Sequence, residues 1–207
     1  EAQAKEAKIE ASLERVRSKA MGMRNSQDLA DTIGDFYREL HSYSITPIRC
    51  GVGLLSKEER VGELFTWNTT PGGEGLQLVG NLKMSGHPVL DNVYEGWLAQ
   101  KEYHTVLRGN EIKEYYQVLR PQISFPAYEK DCIQHGHFFF FKEGAVYAWT
   151  YNKMQEEELQ IYRRFTTVLS LTYKRYKDLQ QAEANAREAQ IETALEKVRS
   201  RTLAMQH

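Results

Sequence analysis

Apolar and polar positions along this chain change period several times, and each change marks an element. Ile9, Leu13, Val16, Ala20 and Met23 are spaced four, three, four, three. That 3.5-residue rhythm predicts a helix with a narrow apolar seam, the form that supercoils with a partner. The phase then shifts, and Leu29, Ile33, Phe36 and Leu40 make a second helical stripe. Asn25 or Ser26 can cap it, Asp28 suits its first turn, and it ends before Pro47. Strand-like runs follow at Cys50–Leu55 and Val61–Trp67, joined by the polar loop Ser56–Arg60. Thr69–Gly75 reads as a loop and Leu76–Gly80 as a weaker strand.

Helical spacing returns from His87 to Gln100, with Val89, Val93 and Trp97 on one face. Tyr103–Leu107 is a short strand, and Glu111–Leu119 a second middle helix stopped by Pro121. Ile123 to Gln134 fits neither period. The clearest hairpin is Gly136–Phe141, turning through Lys142–Gly144 into Ala145–Tyr151. His137, Phe139 and Phe141 share one face and Phe138 and Phe140 the other, so the strand is apolar on both sides and belongs at the centre of a sheet. From Met154 to His207 there is no Gly and no Pro, and Tyr162, Phe165, Leu169, Tyr173 and Tyr176 form a stripe. An unbroken helix there would be about 80 Å long. The order of elements predicts the α+β class: an antiparallel sheet with helices.

The first stretch occurs twice. Glu1–Asn25 and Glu183–His207 align without a gap at an offset of 182 positions, with 13 of 25 residues identical. Ile191, Leu195, Val198, Thr202 and Met205 repeat the first spacing. With Ile9 and Ile191 at d positions, Lys5 and Arg187 fall at g and Glu10 and Glu192 at e, an arrangement that favours a parallel pair. Glu6 and Glu188 fall at a and weaken the seam. For a single stripe, the commoner object is a surface helix packed on its own domain. Two copies bracketing one domain favour pairing rods instead. The dimer seam is therefore expected at Ile9, Leu13, Val16, Met23, Ile191, Leu195, Val198 and Met205. The expected division is a coiled-coil linker helix at 1–25, a globular domain at 26–180 and a second linker copy at 181–207.

Composition narrows the partners. The chain has 207 residues, 41% of them hydrophobic, and a net charge of −1. It can bury one sizeable core and has no global field for nucleic acid or anionic lipid. Two cysteines, Cys50 and Cys132, are too few for a disulfide framework and fit a reducing, cytoplasmic compartment. No apolar run approaches the roughly 20 residues that cross a bilayer, although a membrane segment elsewhere in a longer parent is compatible with this.

The hairpin GHFFFFKEGAVYAWT, running into NKMQEEELQIYRRFTTVLSLTYKRYKDLQQAEANAREAQIETALEKVRSRT, resembles the end of a GAF-like domain and its exit linker. The AREAQIE…LEKVRSRT string resembles linkers recurring in large bacterial sensor proteins, where such units sit in tandem before a histidine kinase or other output. The resemblance implies about six strands, a ligand pocket between sheet and middle helices, a parallel homodimer through the flanking helices, an output domain in the same parent chain and no catalysis in this portion. Cyclic-nucleotide-binding members carry an Asn-Lys pair, then a Phe, then an Asp-Glu pair. Asn152-Lys153 is present, but Phe165 is followed by Thr-Thr-Val-Leu, so the pattern is incomplete. Neither cysteine sits in a recognisable bilin-attachment context.

The implied pocket would be walled by Trp97, Tyr103, Tyr116, Phe139, Tyr147 and Trp149, with Arg108 and His137 among the polar groups that orient a ligand. The competing reading is that these aromatics fill a core. Cys132, His135 and His137 could offer a thiolate and imidazoles to zinc or haem iron, but their spacing matches no metal motif, so no metal or cofactor is expected. No G-x-S-x-G, Walker or zincin pattern occurs. Three function classes are weighed: first a non-catalytic sensory module that binds a small molecule or partner, then a ligand-free structural spacer, and last an enzyme with a Cys132, His135 and His137 site.

Overall fold

In the computed structural model, residues 2–24, 32, 34–35, 37–39, 43, 47–70, 73–123 and 132–204 are described. The expected stripe at Leu29, Ile33, Phe36 and Leu40, its caps at Asn25 and Ser26, Asp28 and the seam residue Met205 lie outside them, as does the Lys5 side chain. The elements run α1 (Ala2–Gly22), β1 (Arg49–Ser56), β2 (Val61–Thr70), β3 (Gly73–Lys83), α2 (Pro88–Ala99), β4 (Tyr103–Arg108), α3 (Asn110–Leu119), β5 (Ile133–Phe141), β6 (Gly144–Thr150) and α4 (Glu156–Ala204). The six strands form one sheet in the order β3-β2-β1-β6-β5-β4, with every neighbouring pair antiparallel. The expected α+β class and strand count both hold.

One expectation is corrected in the backbone. Thr69–Gly75 is not a loop throughout: β2 reaches Thr70 and β3 begins at Gly73, with Thr70 opposite Gly73. Glycine-rich sequence weakens the strand signal, yet the ladder hydrogen bonds of a long hairpin carry the pairing through it.

The sheet is covered on both faces. On one side, α1 and the first half of α4 pack on Phe139, Phe141, Val146 and Ala148. On the other, α2 and α3 pack on Phe138, Tyr147 and Trp149. Alternation along β5 and β6 supplies both cores from the same two strands, as the doubly apolar hairpin predicted. His87 caps α2, its Nδ1 accepting from the Val89 N–H at 3.1 Å, and Pro88 opens the first turn. Gln100 closes α2 in the left-handed conformation.

The terminal helices differ from the sequence expectation. Ile9, Leu13, Val16 and Met23 are buried within their own chain, where Ile9, Leu13 and Val16 share a core with Tyr162, Phe165 and Leu169 of α4. The expected intermolecular seam is in this copy an intramolecular one, because a facing apolar stripe exists on α4. Its flanking charges are also met within the chain. Arg164 binds Glu6 at 2.8 Å and also Glu10, Arg15 binds Glu39 at 2.7 Å, and Lys19 pairs with Asp35. Arg164 lies near Glu6 and Arg175 reaches the Met23 carbonyl, so α1 and α4 run in the same direction. The second copy is the opposite case. Every residue from Gln180 to Arg201 is exposed, including Ile191, Leu195 and Val198 at 55%, 54% and 61%. The 49 residues of α4 give a rod of about 74 Å, roughly half of it beyond the domain.

Candidate functional site

Between the sheet and helices α2 and α3 lies a cavity of about 40 Å³. Its floor comes from β1 and β6 and its roof from α2 and α3. Leu55, Leu64, Leu82, Met84, Leu90 and Val93 make most of the wall apolar. A water needs about 10–15 Å³ by this measure, so the space suits a ligand of only a few heavy atoms.

The polar groups at the cavity come from four elements: β1, β2, α3 and β6. Arg49 opens β1 and is directly paired with Trp149 of β6. Alternation from Arg49 puts Gly51 and Gly53 on the same face, and the room they leave is taken by a neighbouring ring. A side chain at Gly51 would sit 2.7 Å from the Tyr147 hydroxyl and 1.9 Å from the Phe65 carbonyl oxygen. Tyr147 therefore lies flat across β1, its hydroxyl 2.6 Å from Thr66 Oγ1 of β2. Burial raises the Tyr147 phenol to about 12, with Arg49 pulling it back down. It stays protonated, a donor rather than an anion.

Arg49 is the unusual group. It is 7% exposed, and its guanidinium sits 5.5, 5.0 and 5.2 Å from the ring centroids of Tyr115, Tyr116 and Trp149. Nη2 donates to the Tyr115 hydroxyl at 3.3 Å, and Nε is buried with no hydrogen-bond partner. Among the described residues, the titratable groups that act most on its charge are Tyr115, Tyr116 and Tyr147, none of them a carboxylate. Cation–π contacts offset part of the cost of burying this charge, but a buried cation without an anion is ordinarily expensive.

Of the residues expected at the site, Tyr147 and Trp149 line the cavity. Tyr116 lies beneath Arg49 and donates to Gln134 Oε1 at 3.0 Å, in the core beside the cavity. Trp97 is buried in the same layer, but its Nε1 is directed to the Phe141 and Lys142 carbonyls at 3.2 Å, holding α2 to the β5–β6 turn. Tyr103 stacks on Phe138 at 5.9 Å at the sheet edge and accepts from Asn92. Three residues are placed elsewhere. Arg108 is exposed at the end of β4, where its backbone N–H donates to Glu111. His137 and Phe139 point to the other face: Phe139 stacks on Tyr162 at 5.3 Å, and the His137 Nδ1 is 3.0 Å from that of His104. The two-residue period of a strand separates them from Phe138 and the cavity.

The polar cavity residues that sequence reading missed are Arg49 and Thr66. The available signal was a cation two and four residues before glycines on one strand face. Cys132, His135 and His137 do not converge: among the described residues no group of three or more His, Cys, Asp or Glu is placed to hold a metal ion. Burial drives His137 down to about 4, with His104 and His135 adding to the shift. No helix among the described residues is long and apolar enough to cross a membrane.

No protein-family model matches this sequence, and no curated protein matches it. Solved structures do. The crystal structure of the GAF domain from Acinetobacter phosphoenolpyruvate-protein phosphotransferase is similar over 79% of this chain and 92% of that one, with 13% identity and a TM-score of 0.51. The A. aeolicus nlh2 GAF domain in an inactive state is similar over 82% of this chain and 97% of that one, with 9% identity and a TM-score of 0.45. At such identities the first likeness is one of fold. With its six-stranded antiparallel sheet, helices on both faces and long C-terminal helix, the chain has a GAF-like fold.

Proposed function

We propose that this chain is a non-catalytic sensory module that binds a small ligand in the cavity above β1 and β6 and passes the change to α4. The single observation that carries the reading is the sharing of strands between two layers. Tyr147 and Trp149 of β6 face the cavity while Val146 and Ala148, between and before them, face α4 and α1. A ligand that shifts the first pair must move the second, because the residues are consecutive along one strand and cores are close-packed. The shift reaches a helix whose outer half carries an exposed seam.

In this reading Ile191 and Leu195 pair with their counterparts in a parallel second copy, and the rods lead to an output domain in the same parent chain. The parent is a bacterial signalling protein of the two-component, histidine-kinase type, acting in the cytoplasm. Residues 2–22 then belong to the domain body in packing, although they share the linker sequence. The ligand acts only through its difference in affinity between two packing states.

The test is disulfide crosslinking of an Ile191→Cys variant of the full-length parent. Efficient crosslinking that changes when ligand is present is expected. A chain that stays monomeric would overturn the dimeric rod and leave the second seam to intramolecular packing of the kind seen for the first. The small cavity supports a second reading, a ligand-free spacer. A metabolite screen by thermal shift decides between them, since any compound that binds the folded state raises its melting temperature.

A further inference from the structure

We propose that the cavity is a site for a small monocarboxylate, with Arg49 as its counter-ion. This inference rests on the reading of the cavity as a ligand site. Three observations converge on it. Arg49 lines the cavity, is buried, and has an Nε with no partner. Among the described residues, neither its hydrogen bond nor the groups that act most on its charge include an acid. The remaining wall is mostly aliphatic, with hydroxyls from Tyr115, Tyr147 and Thr66 at the polar end.

The chemistry of the donors selects the ligand class. A guanidinium presents parallel N–H groups that fit the two oxygens of a carboxylate. One negative charge neutralises the buried cation. A dianion such as sulfate or phosphate would leave a net negative charge among leucines and would need more donors than one guanidinium and a few hydroxyls supply. A neutral ligand would leave the cation uncompensated. The volume limits the body to a short chain, and the aliphatic wall favours an apolar tail over a second polar group. Formate, acetate, propionate and butyrate span this range.

The experiment is a thermal-shift and calorimetric titration of the whole chain with sodium formate, acetate, propionate and butyrate, against sodium chloride at matched ionic strength. Acetamide and 1-propanol serve as neutral probes of similar shape. A saturable rise in melting temperature with one or more carboxylates, beyond that in chloride, is expected. Arg49→Met should weaken that binding at least about tenfold, the size of a lost charge-assisted hydrogen bond. Tyr115→Phe, which keeps the ring beside Arg49, should weaken it a few-fold and covers the case in which Arg49→Met does not fold. Equal responses of carboxylates and chloride, or undiminished carboxylate binding in both variants, would overturn the assignment. Binding of a neutral probe without any carboxylate would overturn it while leaving the cavity as a ligand site. Binding of no probe of either kind would remove both readings.

Discussion

Arg49 and Trp149 are direct partners across the β1–β6 ladder, and the guanidinium of one lies 5.2 Å from the ring centroid of the other. Two positions 100 residues apart in sequence thus form the floor of the cavity. The contact joins a cation to the largest fully buried side chain among the described residues. The pair accounts for how a buried charge is tolerated in a core: three aromatic faces partly replace its hydration.

The two members of the pair should respond differently to removal. Trp149→Ala deletes a 1% exposed indole and opens a large void, with an expected loss of about 3–5 kcal/mol. Arg49→Met fills similar space and removes a buried charge, so without ligand its stability should stay within about 1 kcal/mol of wild type or rise. Urea unfolding of the two variants measures both.

Gly51 has no room for a side chain. Its Cβ would meet the Phe65 carbonyl oxygen at 1.9 Å, and backbone of the neighbouring strand cannot yield without breaking the β1–β2 ladder. Gly51→Ala should therefore cost about 3 kcal/mol or more, beyond ordinary overpacking. The Tyr147–Thr66 hydrogen bond should be lost with it. Denaturant midpoints, with Tyr147→Phe as the control for that bond, test this.

The repeat permits a paired comparison. Leu13 and Leu195 occupy equivalent positions in the two copies, one 2% and the other 54% exposed. Leu13→Ala should cost about 2–4 kcal/mol, and Leu195→Ala should stay within about 0.5 kcal/mol in the monomeric domain. Thermal unfolding at low protein concentration gives the contrast, and a concentration-dependent effect at Leu195 reports the proposed dimer.

His137 makes stability depend on pH. Its folded value of about 4 lies below the 6.5 of a free histidine, with burial the main cause and the charges of His104 and His135 secondary. The unfolded chain therefore binds the proton first as pH falls. The stabilising contribution is complete above about pH 6.5 and is lost as pH drops towards 4, by about 2–3 kcal/mol in total. His137→Asn should flatten that part of the wild-type curve, as measured by urea unfolding between pH 7 and pH 4.

Much of the fold is legible in the sequence. Period-two alternation in Gly136–Phe141 located the central hairpin and its two apolar faces, and the absence of Gly and Pro after Met154 located the long helix. Tyr147 and Trp149 line the cavity because they alternate with Val146 and Ala148 along β6 and so face α2 and α3. His137 and Phe139 were misplaced because they were grouped by chemistry across a strand whose alternate residues face opposite ways. Arg49 was missed for a different reason. A cation at the start of a strand looks solvated until register sets it opposite Trp149, and register is a property of two segments.

The duplicated stretch marks the boundary most clearly. Local spacing alone determined that both copies are helices with the same apolar stripe, since helix periodicity is set by backbone geometry within a few residues. Only the tertiary structure decided what each stripe does. The first meets Tyr162, Phe165 and Leu169 of α4 and is buried, whereas the second has run past the domain and meets solvent. Burial requires a second surface at the right place, and that surface is assembled by residues more than 100 positions away.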